Sequence, residues 1–78
     1  MTGIRDQIIN GTEQLINRTM DELRDMVLRD SPAPSDREAN DVFTRLLRLS
    51  RFLREFSNGS SDVDPRTMLD VVDFLTKS

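Results

Sequence analysis

The sequence of 78 residues contains no cysteine, no histidine, no tryptophan and no tyrosine. Without cysteine the chain cannot form disulfides, thiolate metal sites or a cysteine nucleophile. Without histidine it lacks the commonest metal ligand and the side chain that titrates near neutral pH. Serine and threonine are present, but no base suited to activate them stands out, and the single lysine, Lys77, lies at the C-terminal end. We therefore expect no enzymatic activity, no small-molecule substrate, no cofactor and no metal.

Long hydrophobic runs are also missing. No apolar stretch approaches the roughly 18 residues that span a bilayer, and the first ten residues lack the basic region and apolar core of a signal peptide. We predict a cytoplasmic protein that does not bind membranes. A chain of 78 residues has room for a single domain, 1–78, and the area it can bury is marginal for a monomer, so oligomerisation is favoured.

Acidic residues outnumber basic ones, and the net charge is −3. The acidic excess is uneven, because residues 31–57 carry five arginines against four acids whereas the segments on either side are net acidic. Ten of the eleven basic residues are arginine, whose planar guanidinium suits the recognition of phosphate and carboxylate. This segment is therefore the first candidate for binding an anionic partner.

The same segment has the pattern of a capped amphipathic helix over about 36–56. Ser35 and Glu38 have the spacing of a capping box, in which each side chain binds a backbone N–H of the first turn. Apolar residues then recur at alternating spacings of three and four, which indicates a coiled-coil-like seam. The seam residues are Ala39, Val42, Leu46, Leu49, Leu53 and Phe56.

A first helix is predicted over about 3–29, and Thr2 can cap it. Its apolar residues fall within an arc of about 160°, wide enough for two neighbouring helices. Gly11 is a candidate interruption, but we expect a continuous or slightly bent helix, because the apolar residues before and after Gly11 fall on the same side of one helix. The middle of the arc repeats the alternation of three and four at Ile9, Thr12, Ile16, Thr19, Leu23 and Met26.

Pro32 and Pro34 stop the first helix, and so short a link predicts an antiparallel hairpin. Asp64 followed by Pro65 then predicts a third helix over about 65–76. The fold class is therefore predicted to be all-α, a helical hairpin with a short third helix. Because the apolar faces exceed what one hairpin can hide, we expect a homodimer with a four-helix core. A monomer with the third helix laid across the hairpin is the alternative.

The arginines of the second helix are predicted to lie opposite its seam, and Arg37 and Arg51 are about 21 Å apart along the helix axis. A dimer doubles this strip, which suits the regularly spaced phosphates of an A-form duplex. The alternative is a solvated surface with local pairs such as Arg51 with Glu55. Phe52 is the one large apolar residue expected on the same side, and it is predicted either to be buried under the third helix or to contact a protein. The candidate nucleic-acid-binding residues are Arg37, Arg45, Arg48, Arg51 and Arg54.

The order of these elements resembles the nodavirus suppressors of RNA silencing: a long helix, a proline-containing link, a second long helix with outward arginines and a short third helix that starts at a proline. The resemblance covers nearly the whole chain and rests on layout, without a diagnostic motif. It implies a helical-hairpin homodimer that binds double-stranded RNA lengthwise, without sequence specificity, and shields it from the silencing machinery. It also implies that the five arginines take the place of the family's RNA-facing basic residues. The acidic total and the longer second loop depart from that pattern.

Two functions therefore stand as hypotheses. The first is a homodimer that binds double-stranded RNA through the second helix. The second is a protein-interaction module, such as a phage or viral inhibitor or a small adaptor, that binds through the acidic face of the first helix or the Phe52 region. RNA binding should weaken steeply with salt and be lost when Arg48 and Arg51 become glutamate, whereas a largely apolar protein interface should tolerate both changes.

Overall fold

Three α-helices make up the fold, in the order α1 (Ile4–Leu28), α2 (Asp36–Ser57) and α3 (Pro65–Lys77). The computed structural model describes residues 3–29 and 32–77. Each helix end lies within one residue of its predicted position, and the all-α hairpin with a short third helix is confirmed. None of the described helices is long and apolar enough to cross a membrane. The homodimer with a four-helix core stays a prediction.

α1 runs without interruption through Gly11, as the unchanged phase of its apolar residues predicted. Gly11 is buried, and a Cβ atom at this position would lie only 2.9 Å from Cδ2 of Leu75 on α3. The missing side chain therefore lets α3 approach α1 closely. Gly3 is the N-cap residue of α1 and has no side chain that could bind the first turn. The predicted cap, Thr2, lies outside the described residues.

α2 begins at a side-chain cap. The Ser35 hydroxyl accepts a hydrogen bond from the Glu38 backbone N–H over 3.1 Å, which confirms one half of the predicted capping box. The Glu38 carboxylate instead lies 3.0 Å from the Arg29 guanidinium just beyond the end of α1. Glu38 thus ties the two helix ends together beside the link. Gly59 follows the other end of α2 with φ of 76°, a left-handed conformation that glycine adopts without strain.

α3 starts at Pro65, directly after Asp64, as predicted. The Asp64 carboxylate accepts hydrogen bonds from the Thr67 hydroxyl over 2.7 Å and from the Arg66 backbone N–H over 3.3 Å. The bond from Thr67 is the main cause that lowers the pKa of Asp64 from its ordinary value of 3.8, while the Arg66 N–H and the charge of Arg48 act in the same direction. The carboxylate is therefore ionised at neutral pH, where it holds the first turn of α3.

α1 and α2 run antiparallel along the hairpin. In the half nearer the link, Glu22 of α1 pairs with Arg45 of α2 over 3.0 Å. At the end away from the link, Arg5 donates hydrogen bonds to the carbonyls of Phe56 and Ser57 over 3.2 and 2.9 Å. Because these carbonyls belong to the last turn of α2, the guanidinium also compensates the negative end of the helix dipole.

α3 lies across one face of the hairpin and contacts both α1 and α2. The buried centre of this contact consists of Leu49, Phe52 and Val71, and Phe52 is only 1% exposed. Of the two predictions for Phe52, burial under the third helix is therefore confirmed. Partly buried side chains surround this centre, at Ile8, Leu15, Ile16, Phe56, Val63, Met68 and Leu75.

Candidate functional site

Two of the five candidate arginines join α2 to the other helices. Arg45 donates hydrogen bonds to both carboxylate oxygens of Glu22, over 3.2 and 3.0 Å. Arg48 Nη2 lies 3.1 Å from a carboxylate oxygen of Asp70 on α3. These pairs are partly exposed, so each stabilises the fold by no more than about 1 kcal/mol. They balance the charge of both guanidiniums, however, and so reduce their attraction for phosphate.

The other three arginines project away from the hairpin interior. Arg51 Nε lies 3.0 Å from Oε1 of Glu55, the local pair that the solvated-surface alternative predicted. Arg37 and Arg54 make no ion pair within residues 3–29 and 32–77. The positive surface left for an anionic partner is therefore Arg37, Arg54 and a partly compensated Arg51. RNA binding by the five arginines stays a prediction.

The outer side of α2 also carries large apolar side chains. Leu47 is 70% exposed and Phe43 is 49% exposed. Phe52 was expected to be the one large apolar residue on this side, but α3 covers the flank of α2 on which it lies. The position of α3, which a helical wheel of α2 does not contain, decides which flank is buried.

The predicted seam residues are buried or half-buried in the single chain. Two buried threonines also lie in this seam, and the hydroxyls of Thr12 and Thr19 donate hydrogen bonds to the carbonyls of Ile8 and Leu15 over 2.7 and 2.8 Å. No unsatisfied hydroxyl donor is therefore buried at these two positions. All nine seam residues of the dimer prediction are buried or half-buried in the single chain: Ile9, Ile16, Leu23, Met26, Val42, Leu46, Leu49, Leu53 and Phe56.

The hairpin has a second broad face, which no described helix covers. At 100° per residue, the side of α1 that meets α3 at Gly11 and Leu15 is turned away from the side that carries Met20 and Val27. The corresponding side of α2 is turned away from Phe52. We call this surface the open face, and it consists of Ile9, Ile16, Met20 and Val27 of α1 with Ala39, Phe43, Leu46, Ser50 and Leu53 of α2. Ile16 lies at its inner border, because it also packs against the buried centre.

The open face is apolar and partly accessible to water. Met20 is 53% exposed, Val27 is 74% exposed and Phe43 is 49% exposed. Apolar patches of this kind with a polar rim mark interaction surfaces. Phe43 is missing from the predicted seam, although its spacing of four from Ala39 and three from Leu46 places it beside that seam.

A shallow depression lies between α1 and α3. It is lined by Gln14, Asn17, Arg18, Phe74 and Lys77. The Arg18 guanidinium lies 5.5 Å from the centroid of the Phe74 ring, a cation–π contact that helps to dock α3. Within residues 3–29 and 32–77, no group of three or more acidic side chains is arranged to hold a metal ion. We interpret the depression as part of the α1–α3 packing.

Comparison of the chain with protein-family models, with curated proteins and with solved structures finds no match. The resemblance to the nodavirus suppressors of RNA silencing stays a prediction from the layout of the helices. What the chain binds is therefore inferred from its two exposed surfaces, the open face of the hairpin and the outer arginines of α2.

Proposed function

We propose that this chain is a non-enzymatic protein-interaction module that acts as a homodimer, joined through the open face of its hairpin. The observation that carries the proposal is the exposure of Met20, Val27 and Phe43 on one side of the hairpin, at 53%, 74% and 49%. Covering such side chains with a second apolar surface is favourable, at about 1.5–3 kcal/mol for each one that becomes fully buried.

A second hairpin fits this surface. α1 and α2 each present apolar residues at the alternating spacings that pack in four-helix bundles, and a two-fold axis lets the same face serve both copies. Half-buried residues such as Ile16 and Leu53 become fully buried in this way. The association leaves α3 in place, because α3 lies on the other face of the hairpin.

The test is the mass of the protein in solution, measured by light scattering and sedimentation over a range of concentrations. We expect the parent chain to be a dimer and Phe43→Asp to be a monomer with unchanged helical circular dichroism. Leu69→Asp is the matched control, because Leu69 is a similarly exposed apolar residue that lies on α3. A parent chain that is monomeric at every concentration would refute the proposal, as would a Phe43→Asp variant with the mass of the parent.

A second proposal is the binding of double-stranded RNA along α2. It is supported by the outward placement of Arg37, Arg51 and Arg54, two of which make no ion pair in the described part of the chain. It has less support than protein association, because Arg45 and Arg48 are held by carboxylates of α1 and α3. The net charge of −3 also opposes the approach of a polyanion.

A mobility-shift experiment with duplex RNA, single-stranded RNA and duplex DNA tests this second proposal. Binding through α2 predicts a preference for duplex RNA, a steep loss of affinity with salt, and a loss of binding in Arg37→Glu/Arg51→Glu. The control is Arg24→Glu, an exposed arginine of α1. Equal shifts for parent and double variant, or no shift at low salt, would exclude α2 as an RNA-binding surface.

A further inference from the structure

The register of the hairpin indicates how two copies fit together. Glu22 lies close to the level of Arg45, because their side chains pair over 3.0 Å, and Arg29 pairs with Glu38 in the same register seven residues nearer the link. The two helices rise about 1.5 Å per residue in opposite directions, so Phe43 lies level with a point between Met20 and Val27. The three most exposed residues of the open face therefore lie within about 11 Å of one another along the molecule.

Two arrangements cover the open face with that of a second copy through a two-fold axis. In the first, the axis is parallel to the helices and α1 lies over the partner's α2. In the second, the axis is perpendicular to the helices and α1 lies over the partner's α1. The first arrangement preserves the levels, so Phe43 inserts between the partner's Met20 and the partner's Val27. In the second arrangement, residues near one end of the hairpin face residues near the other end of the partner. Phe43 is then separated from the partner's Met20 and the partner's Val27.

Charges at the edges of the open face favour the first arrangement. Arg54 lies nine residues after Arg45 and Glu13 lies nine residues before Glu22, so Arg54 and Glu13 are level, each at the outer edge of the open face. Neither makes an ion pair within the residues that the structure describes. When α1 lies over the partner's α2, Arg54 faces the partner's Glu13, and the two-fold axis repeats this pair at the other edge.

The second arrangement has weaker charge complementarity. It would set Asp6 of one copy near the partner's Arg24, because levels are reversed about the middle of α1. Arg24 already lies 3.8 Å from Asp21 and 3.9 Å from Asp25 within its own helix. An additional carboxylate therefore gains less at Arg24 than a first carboxylate gains at Arg54.

We infer that the homodimer places α1 of each copy over the partner's α2, with Phe43 between the partner's Met20 and the partner's Val27. Two symmetric ion pairs, each between Arg54 and the partner's Glu13, flank this apolar contact. The inference rests on the proposed homodimer and adds the geometry and register of its interface. The occupant of the open face is thus a second copy of this chain in one defined orientation.

Disulfide trapping tests the arrangement. Because the chain has no native cysteine, only the introduced cysteines can cross-link. Ala39 lies within about one residue of the level of Val27 in the Glu22–Arg45 register. Mixing the single variants Val27→Cys and Ala39→Cys should give a mixed disulfide dimer, and neither variant alone should cross-link. Ile16→Cys lies near the middle of α1 and cross-links with itself only when α1 lies over the partner's α1. Self-linking of Ile16→Cys without the mixed disulfide would overturn the inference.

Charge reversal tests the ion pairs. Arg54→Glu and Glu13→Arg should each raise the dissociation constant of the dimer about fivefold or more, and the double variant should recover most of the loss. Arg37→Glu is the matched control, because Arg37 is also unpaired in the described residues but lies away from the open face. Equal weakening by Arg37→Glu, or no recovery in the double variant, would overturn the register. A monomeric parent would instead refute the homodimer itself.

Discussion

At the scale of single residues, the small and polar residues of α1 set how closely its neighbours approach. Thr12 and Thr19 occupy seam positions and are buried because their hydroxyls donate to carbonyls one turn earlier. Gly11 is buried because Leu75 of α3 occupies the space of a side chain. From the sequence alone these residues look like weak points of a helix, whereas in the fold they are the buried residues of α1.

Gly11→Leu should destabilise the protein. The gain in helix propensity is about 1 kcal/mol, but the new side chain must displace Leu75, whose Cγ and Cδ2 lie 3.0 and 2.9 Å from the Cβ position. Overpacking of this kind costs typically about 1–3 kcal/mol. We therefore expect a net loss of stability in urea denaturation followed by circular dichroism.

Asn10→Leu is the matched control, because Asn10 precedes Gly11 on the exposed side of the same helix. It should be neutral or slightly stabilising. Adding Leu75→Ala to Gly11→Leu should recover part of the lost stability, since the two side chains compete for one space. An unchanged or raised stability for Gly11→Leu alone would show that α3 does not need this close approach.

Asp64 predicts a dependence of stability on pH. Its pKa is lowered from 3.8 in the folded chain, mainly by the Thr67 hydroxyl. The stabilisation is therefore fully present above the unfolded pKa and is lost as the pH falls through the lowered folded value. We expect Asp64→Asn to be less stable than the parent at about pH 6 and to approach it as the pH falls below 3.8, as measured by thermal melts from neutral to acid pH.

Asp62→Asn serves as the control for this comparison, because the Asp62 carboxylate makes no hydrogen bond or ion pair in the described residues. Its melting temperature should follow that of the parent at each pH. A constant difference between Asp64→Asn and the parent from neutral to acid pH would mean that the charge of Asp64 does not hold the first turn of α3.

At the scale of whole elements, the helices were predictable from the sequence, as was the local pair of Arg51 with Glu55, but the ion pairs between helices were not. Helix ends depend on local chemistry, such as the Ser35 cap and the Asp64-Pro65 start, which lie in a few consecutive residues. The partners of Arg45 and Arg48 depend on which helices meet. A helical wheel of α2 places Arg48 opposite the seam, on a side that looks free, because the wheel does not contain α3, which supplies Asp70 and covers that flank.

The docking of α3 should depend on apolar packing far more than on its ion pair. Phe52→Ala should cost about 3–5 kcal/mol, since its ring is almost completely buried. Asp70→Asn should cost less than about 1 kcal/mol, because both partners of the Arg48–Asp70 pair are partly exposed to water. Urea denaturation of the two variants measures the difference, and Phe52→Leu provides a milder variant if Phe52→Ala does not fold. Similar losses for Phe52→Leu and Asp70→Asn would contradict this ranking.

At the scale of the whole molecule, the sequence predicted more apolar surface than a hairpin hides, and the structure divides that surface between two faces. α3 covers one face through Phe52 and Val71, and the other keeps Met20, Val27 and Phe43 partly exposed. The apolar stripes were visible in the sequence. The division of the apolar surface between two faces could not be predicted. The spacing of apolar residues gives the width of a stripe on a helix, but it does not show which helix covers each half of the stripe.

An association through the open face makes stability depend on protein concentration. Folding and dimerisation are then linked by mass action, so a tenfold rise in concentration stabilises the folded dimer by about 1.4 kcal/mol. For a dimer of two short chains this raises the melting temperature by about 3–6 °C. We expect this rise for the parent and for Leu69→Asp, whereas the melting temperature of Phe43→Asp should stay constant. A melting temperature of the parent that does not change over a hundredfold range of concentration would contradict the linkage, because α1 and α2 would then fold without covering the open face.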